Sequence, residues 1–189
     1  MKVVAFNGSP RPNGNTATLL KLALAEIEKA GIETELVQVG SRPIHGCSAC
    51  YKCKEKQNNR CIFDDDPVNE YIAKMVEADG ILLGSPTYFS DISAQMKAFI
   101  DRTGVVVRAN GNLLRRKVGA GVVAARRAGS VHAFSSLNYY FLIAEMIVPG
   151  SNYWNLGIGN APGDVLEDEE GLETVRQLGM NMAWTIEKL

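Results

Sequence analysis

KVVAFNGSPRPNGNTATLLKLALAEIEKAG, residues 2–31, decides the fold of this chain. Residues 2–7 are a short apolar run of strand type, and a turn rich in Gly, Pro and Asn follows at once. Leu20, Ala23, Leu24 and Ile27 then repeat at helical spacing, and Gly31 stops the helix. A strand that feeds directly into an amphipathic helix is the opening half of a β-α-β unit.

The pattern recurs outward from there. Further strands are predicted at 35–39, 81–84 and 118–124, with a short one at 147–148. Asp66-Pro67 caps a second helix, on which Val68, Ile72, Met75 and Val76 form the apolar stripe. Met96, Phe99, Ile100 and Thr103 mark a third. A fourth is predicted over 130–145, with Phe134, Leu137, Phe141 and Leu142 inward. The last begins near Asp168, carries Glu169 and Glu170 in its first turn, and buries Leu172, Val175, Met182 and Ile186. Five strands and five helices in this order predict an α/β protein. The expected form is a three-layer sandwich of flavodoxin type with a five-stranded parallel sheet, residues 1–189 making one domain.

The bulk composition excludes several function classes. Of 189 residues, 46% are hydrophobic and 22% charged, with 20 Lys plus Arg against 21 Asp plus Glu. The formal net charge of -1 gives no pull toward nucleic acid or an anionic membrane surface. No stretch approaches the ~18 apolar residues of a membrane span. The run before Asn7 is too short for a signal-peptide core. A cytoplasmic, reducing setting is expected, which disfavours disulfides.

Two segments exceed the minimal pattern. Residues 149–167 are rich in Gly, Asn and Pro; their Tyr153 and Trp154 fit an oligomer contact, a lid or plain packing alike. Residues 40–65, between the second strand and second helix, are too long for a simple connection. They hold every cysteine of the chain, as Cys47-x2-Cys50-x2-Cys53-x7-Cys61. Thiolates at i, i+3 and i+6 can converge on one inorganic centre, and the opening C-x2-C-x2-C has the spacing of bacterial ferredoxins. Zinc is an alternative, although its modules usually separate two C-x2-C pairs by a dozen or more residues. Ordinary or redox-active thiols are a third reading. His45 reads as a loop residue, and Asp64, Asp65 and Asp66 as capping acids.

Chemistry is expected where the first and third strands end. After the first strand comes Gly8-Ser9-Pro10-Arg11-Pro12-Asn13-Gly14-Asn15-Thr16, a polar loop opening a helix, which is an anion site by construction. Ser9 and Thr16 offer hydroxyls, Asn15 an amide and Arg11 a positive charge, and Asn13 is grouped with them. Neither G-x-x-x-x-G-K-[ST] nor G-x-G-x-x-G is present. An ordinary polar turn, with Asn15 or Thr16 as the cap, is the competing reading. The third strand ends in Pro86-Thr87-Tyr88-Phe89-Ser90-Asp91. In flavodoxin-like order these two strands flank the point where strand order reverses, and ligands bind there. Aromatic side chains beside an anion loop fit a flat heterocycle with a terminal phosphate, and FMN meets that description.

These residues also carry a resemblance. Gly8-Ser9-Pro10-Arg11 with Asn15-Thr16, then Ser85-Pro86-Thr87-Tyr88 leading to Lys97-Ala98-Phe99-Ile100-Asp101-Arg102, resemble the NADPH-dependent FMN reductase-like superfamily. The cysteine run narrows the resemblance to the iron–sulfur flavoprotein family, over about residues 1–127 in detail and the remainder in outline. The resemblance implies that Ser9, Arg11, Asn15 and Thr16 hold the FMN phosphate. By the same resemblance, Pro86, Thr87, Tyr88, Phe89 and Asp91 border the ribityl chain and ring. It further implies a [4Fe–4S] cluster on Cys47, Cys50, Cys53 and Cys61, and a homodimer or homotetramer in which electrons cross between subunits. Ferredoxin or NAD(P)H is the expected donor. The loop after the fourth strand departs from the family's small, Gly- or Ser-rich form: Arg126 and Arg127 stand there, and are added to the cofactor-binding residues. No acid–base dyad is visible, so no catalytic residue is assigned. The expected function is an FMN-dependent electron-transfer oxidoreductase with a cluster. An NAD(P)H-dependent FMN or quinone reductase without one is the alternative, and a non-catalytic phospholigand module with structural zinc is a third.

Overall fold

Val4 and Phe6 face one side of the sheet and Val3 and Ala5 the other, and all four are fully buried. Such a strand needs cover on both faces. The computed structural model, which describes residues 1–189, supplies it. β1 (Lys2–Asn7), β2 (Glu33–Gln38), β3 (Gly80–Pro86), β4 (Val118–Ala125) and β5 (Leu156–Ile158) form one parallel sheet in the order β2-β1-β3-β4-β5. α1 (Asn15–Lys29) and α6 (Glu169–Lys188) pack on one face; α3 (Val68–Glu77), α4 (Ala94–Ala109) and α5 (Ser130–Ile143) pack on the other. This is the flavodoxin-like sandwich expected from the sequence. A short α2 (Lys52–Lys56) lies among the cysteines and was not foreseen. No helix is long and apolar enough to cross a membrane.

The caps place the helices where the site needs them. Ser93 accepts the Met96 N–H at 3.2 Å and donates its hydroxyl to the Gly8 carbonyl at 2.7 Å. The start of α4 is thereby tied to the loop after β1. Asp168 caps α6 by accepting the Gly171 N–H at 3.0 Å, and Gly31 ends the first helical unit at φ +77°.

Three expectations need correction. The fifth strand is not at 147–148: Ile147 makes a single bridge to Val118, and β5 forms only at Leu156–Ile158. Pro149 lacks an N–H and Gly150 follows it, so the chain leaves β4 after one bridge. Asn155 fills the gap, its side chain donating to the Gly121 carbonyl at 3.0 Å and its carbonyl accepting the Val123 N–H at 3.0 Å. β2 begins at Glu33 rather than 35 and ends at Gln38. On α5, Leu142 is exposed; the helical repeat instead buries Ala133, Leu137, Tyr140 and Phe141, with Phe134 half-buried.

Candidate functional site

The loop after β1 is a chain of local hydrogen bonds that leaves a helix end bare. Gly8 donates to the Gly84 carbonyl at 2.8 Å, and a Cβ there would stand 2.8 Å from the Met96 Cβ. Asn7 accepts the Ser9 N–H at 3.1 Å, and Ser9 Oγ accepts the Arg11 N–H at 3.1 Å. The next amides, those of Asn15, Thr16 and Ala17, find no acceptor within the chain, and the first turn of α1 contains no acid. Free N–H groups, the helix dipole and a nearby arginine together make an anion site.

These residues form one wall of a recess of about 180 Å³, lined by Ser9, Arg11, Gly14, Asn15 and Thr16. Pro86, Thr87 and Tyr88 form the second wall, and Ala124, Arg126, Gly159 and Asn160 the third. The Thr87 hydroxyl is buried here and has no partner. An unsatisfied buried hydroxyl costs about 1–3 kcal/mol, so the recess is built for a polar guest. Its volume takes a phosphate and a polyol chain, which leaves a fused ring on the open rim beside residues 87–91. The donors, the shape and the unpartnered hydroxyl all fit FMN.

The rim is an unusual turn. Tyr88 and Asp91 exchange two backbone hydrogen bonds of 2.8 and 3.0 Å, with Phe89 at φ +48° and Ser90 at φ +64°. Both central residues are left-handed, as a type I′ turn requires, and neither is glycine. Phe89 is fully exposed. Asp91 accepts the Ser136 hydroxyl and the Ile92 N–H, both at 2.7 Å, and its other oxygen lies 3.7 Å from His132 Nε2. Partial burial acts to raise the Asp91 carboxyl, but Ser136, Ile92 and His132 outweigh it and hold it below the usual carboxylate range.

The cysteines come together at a separate place. Cys47, Cys50, Cys53 and Cys61 line one narrow recess with Ile62, Phe63 and the α4 residues Arg102, Val105 and Val106. Cys53 is buried, Cys61 half-buried, and Cys47 and Cys50 exposed. Ala49, Tyr51, Gln57 and Asn59 take left-handed backbone conformations, which turn the chain sharply between the thiols. The Lys52 backbone N–H lowers the Cys50 thiol, while burial raises that of Cys53. Asn69 clamps the segment from α3, accepting the Cys61 N–H at 2.8 Å and donating to the Cys61 and Phe63 carbonyls at 3.1 Å each.

No three of the four sulfurs lie within 4.8 Å of one another. The only three-residue group of His, Cys, Asp and Glu whose ligand atoms all lie within 4.8 Å is His45, Asp65 and Asp66. Tetrahedral zinc with bonds of about 2.3 Å needs sulfurs about 3.8 Å apart. Four thiols on one recess are a donor set used by iron–sulfur clusters and by zinc alike.

Known proteins share this sequence pattern and fold. The sequence profile of NADPH-dependent FMN reductase matches residues 1–161. The chain belongs to the NADPH-dependent FMN reductase family. An iron–sulfur flavoprotein of Methanocaldococcus jannaschii is 44% identical over 190 residues, covering 97% of this chain and 96% of that protein. An iron–sulfur flavoprotein of Methanosarcina thermophila is 33% identical over 189 residues, covering 99% and 96%. Among solved structures, the NAD(P)H:quinone oxidoreductase from Methanothermobacter marburgensis superposes with a TM-score of 0.69 at 18% identity, covering 96% of each chain. An archaeal flavodoxin superposes with a TM-score of 0.64 at 18% identity, over 99% of each. These two superpositions speak for the fold. This FMN reductase relative is an FMN-dependent oxidoreductase.

Of the residues expected at the cofactor, Ser9, Arg11, Asn15, Thr16, Pro86, Thr87, Tyr88 and Arg126 line one recess. Asn13, Phe89, Asp91 and Arg127 stand outside it. Asn15 uses its side chain otherwise than expected: Nδ2 donates to the Ala161 carbonyl and Oδ1 accepts the Gly163 N–H, both at 2.9 Å. It ties the loop after β5 over the recess and offers a guest its backbone amide only. Gly14, Ala124, Gly159 and Asn160 were missed. The Gly-Asn-Ala-Pro-Gly run at 159–163 was the available signal for two of them. Arg102 and Asn69 were missed because helical spacing gives no warning of a buried polar contact to a distant loop. The largest cavity, about 710 Å³, lies elsewhere, in an apolar groove between α4 and α5 bordered by Tyr51 and Lys54.

Proposed function

We propose that the chain is a redox relay, with a [4Fe–4S] cluster on Cys47, Cys50, Cys53 and Cys61 and FMN at the carboxyl ends of β1, β3 and β4. The observation that carries this reading is the gathering of all four thiols on one recess, in the C-x2-C-x2-C spacing of bacterial ferredoxins. When bound, the two groups supply one-electron exchange and its conversion to two-electron chemistry. The amides of Asn15, Thr16 and Ala17, with Ser9, Thr16 and Arg11, hold the phosphate. Thr87 gives its free hydroxyl to the ribityl chain or ring, and Arg126 stands over the same recess as a fixed positive charge. Tyr88 and Phe89 flank the ring on the rim, where a substrate has open access. Asn69 and the left-handed turns hold the thiols in place.

Electron passage belongs to an assembly of subunits, a homodimer or homotetramer. No residue lines both recesses. Arg102 also lies about 12 Å along α4 from Ala94, at 1.5 Å per residue. Tyr51 and Val105 border both the cysteine recess and the apolar groove, so a second copy in that groove reaches the thiols directly. The exposed Tyr139 and Ile143 are the residues such a copy covers. The donor is ferredoxin or NAD(P)H, and the setting is the reducing cytoplasm expected from the sequence.

Purification without air, followed by iron, sulfide and flavin analysis, tests the reading. About four irons and four sulfides per FMN are expected from the cluster formula. FMN without iron would leave an NAD(P)H-dependent FMN or quinone reductase. Zinc without flavin would leave a phospholigand-binding module.

A further inference from the structure

Arg102 is the only Lys, Arg, Asp or Glu among the fully buried residues. It sits on α4, where a long basic side chain ordinarily reaches water. Here one terminal nitrogen donates to the Asp66 carboxylate and the other to the Phe63 carbonyl at 3.1 Å. The Phe63 ring lies 5.9 Å from its Cζ. Its Nε–H has no acceptor anywhere in the chain. A buried N–H of a charged group without a partner is among the most costly defects a core can hold.

The same side chain lines the recess bounded by the four cysteines. Asp66 in turn accepts the His45 N–H at 3.1 Å and the Val68 N–H at 3.2 Å, so the ion pair is locked to the start of the cysteine segment and the first turn of α3. Four of the five N–H bonds of the guanidinium lie on nitrogens that the protein engages, and the fifth, on Nε, is buried without an acceptor. An N–H donor and a positive charge beside a cluster favour the state with one more electron, which raises its reduction potential.

We infer that Arg102 positions and tunes the inorganic centre, donating its Nε–H to one of the centre's sulfurs. This rests on the proposed cluster and adds a residue outside the cysteine pattern to it. Arg102→Lys keeps the charge and the pairing to Asp66 but removes the Nε–H. Arg60→Lys is the control, since Arg60 is half-exposed and pairs with Asp64 at 2.9 Å. The holoprotein is prepared without air with 15N-arginine, reduced, and examined by pulsed EPR and redox titration. The wild type and Arg60→Lys should show hyperfine coupling from an arginine nitrogen, and Arg102→Lys should lose it. The reduced-to-oxidised ratio of the Arg102→Lys cluster should fall about tenfold at fixed potential, equivalent to about 59 mV for one electron, with the flavin midpoint unmoved.

A wild-type cluster without arginine coupling overturns the role of Arg102 alone, as does an Arg102→Lys cluster with the wild-type midpoint. Should Arg102→Lys fail to retain iron, the wild-type spectrum decides. A preparation with FMN and no iron overturns the cluster reading, and this inference with it.

Discussion

At Thr87 the protein carries a buried hydroxyl that nothing in the chain satisfies. Thr87→Val keeps the shape and deletes the hydroxyl. A lost hydrogen bond of about 1 kcal/mol predicts an affinity for FMN weaker by about fivefold, measurable by titration calorimetry. The apo protein should melt no lower than wild type, because the defect is removed with the bond. A lower apo melting temperature would show that Thr87 is satisfied in solution and that the recess is not shaped around a guest. The sequence identified Thr87 through its place after β3, but the missing partner is a fact of packing. Asn15 shows the reverse. Its position in the loop was legible, yet its amide serves Ala161 and Gly163, which lie far along the chain.

Among the elements, the cysteine segment depends on the first turn of α3. The Asp66-Pro67 signature located that turn, and Asp66 does accept the Val68 N–H. Asn69, which the sequence did not single out, binds Cys61, Phe63 and Asp64 and is 4% exposed. Asn69→Ala breaks all of these bonds at once. With roughly 1 kcal/mol for each net bond, local opening of residues 57–66 should become easier by about 2–4 kcal/mol. Hydrogen exchange should accelerate there while the sheet amides hold their protection. The iron content of anaerobically prepared protein should fall with FMN unchanged. Uniform acceleration across the sheet would place Asn69 in the global core instead.

For the whole molecule, pH dependence follows from a buried phenol joining two helices. Tyr140 on α5 shares a 3.1 Å hydrogen bond with Thr103 on α4, and burial pushes its phenol well above the ordinary value. An acid whose folded value is raised contributes stability that is fully present below its unfolded value, about 10, and lost as pH rises through the folded value. Chemical denaturation should therefore show stability falling above about pH 10, and Tyr140→Phe should flatten that limb. An unchanged limb in the variant would assign the loss to other groups.

The β-α order, the helix start after Asp66-Pro67, the cap at Asp168, the glycine stop at Gly31 and the two loops after β1 and β3 were decided by local sequence, because each depends on neighbours a few residues away. The split fifth strand, the Asn15 strap, the Asn69 clamp and the buried Arg102 were decided by the tertiary structure alone. Each joins residues remote in sequence, and a polar side chain aimed at such a partner has the same local pattern as one facing water.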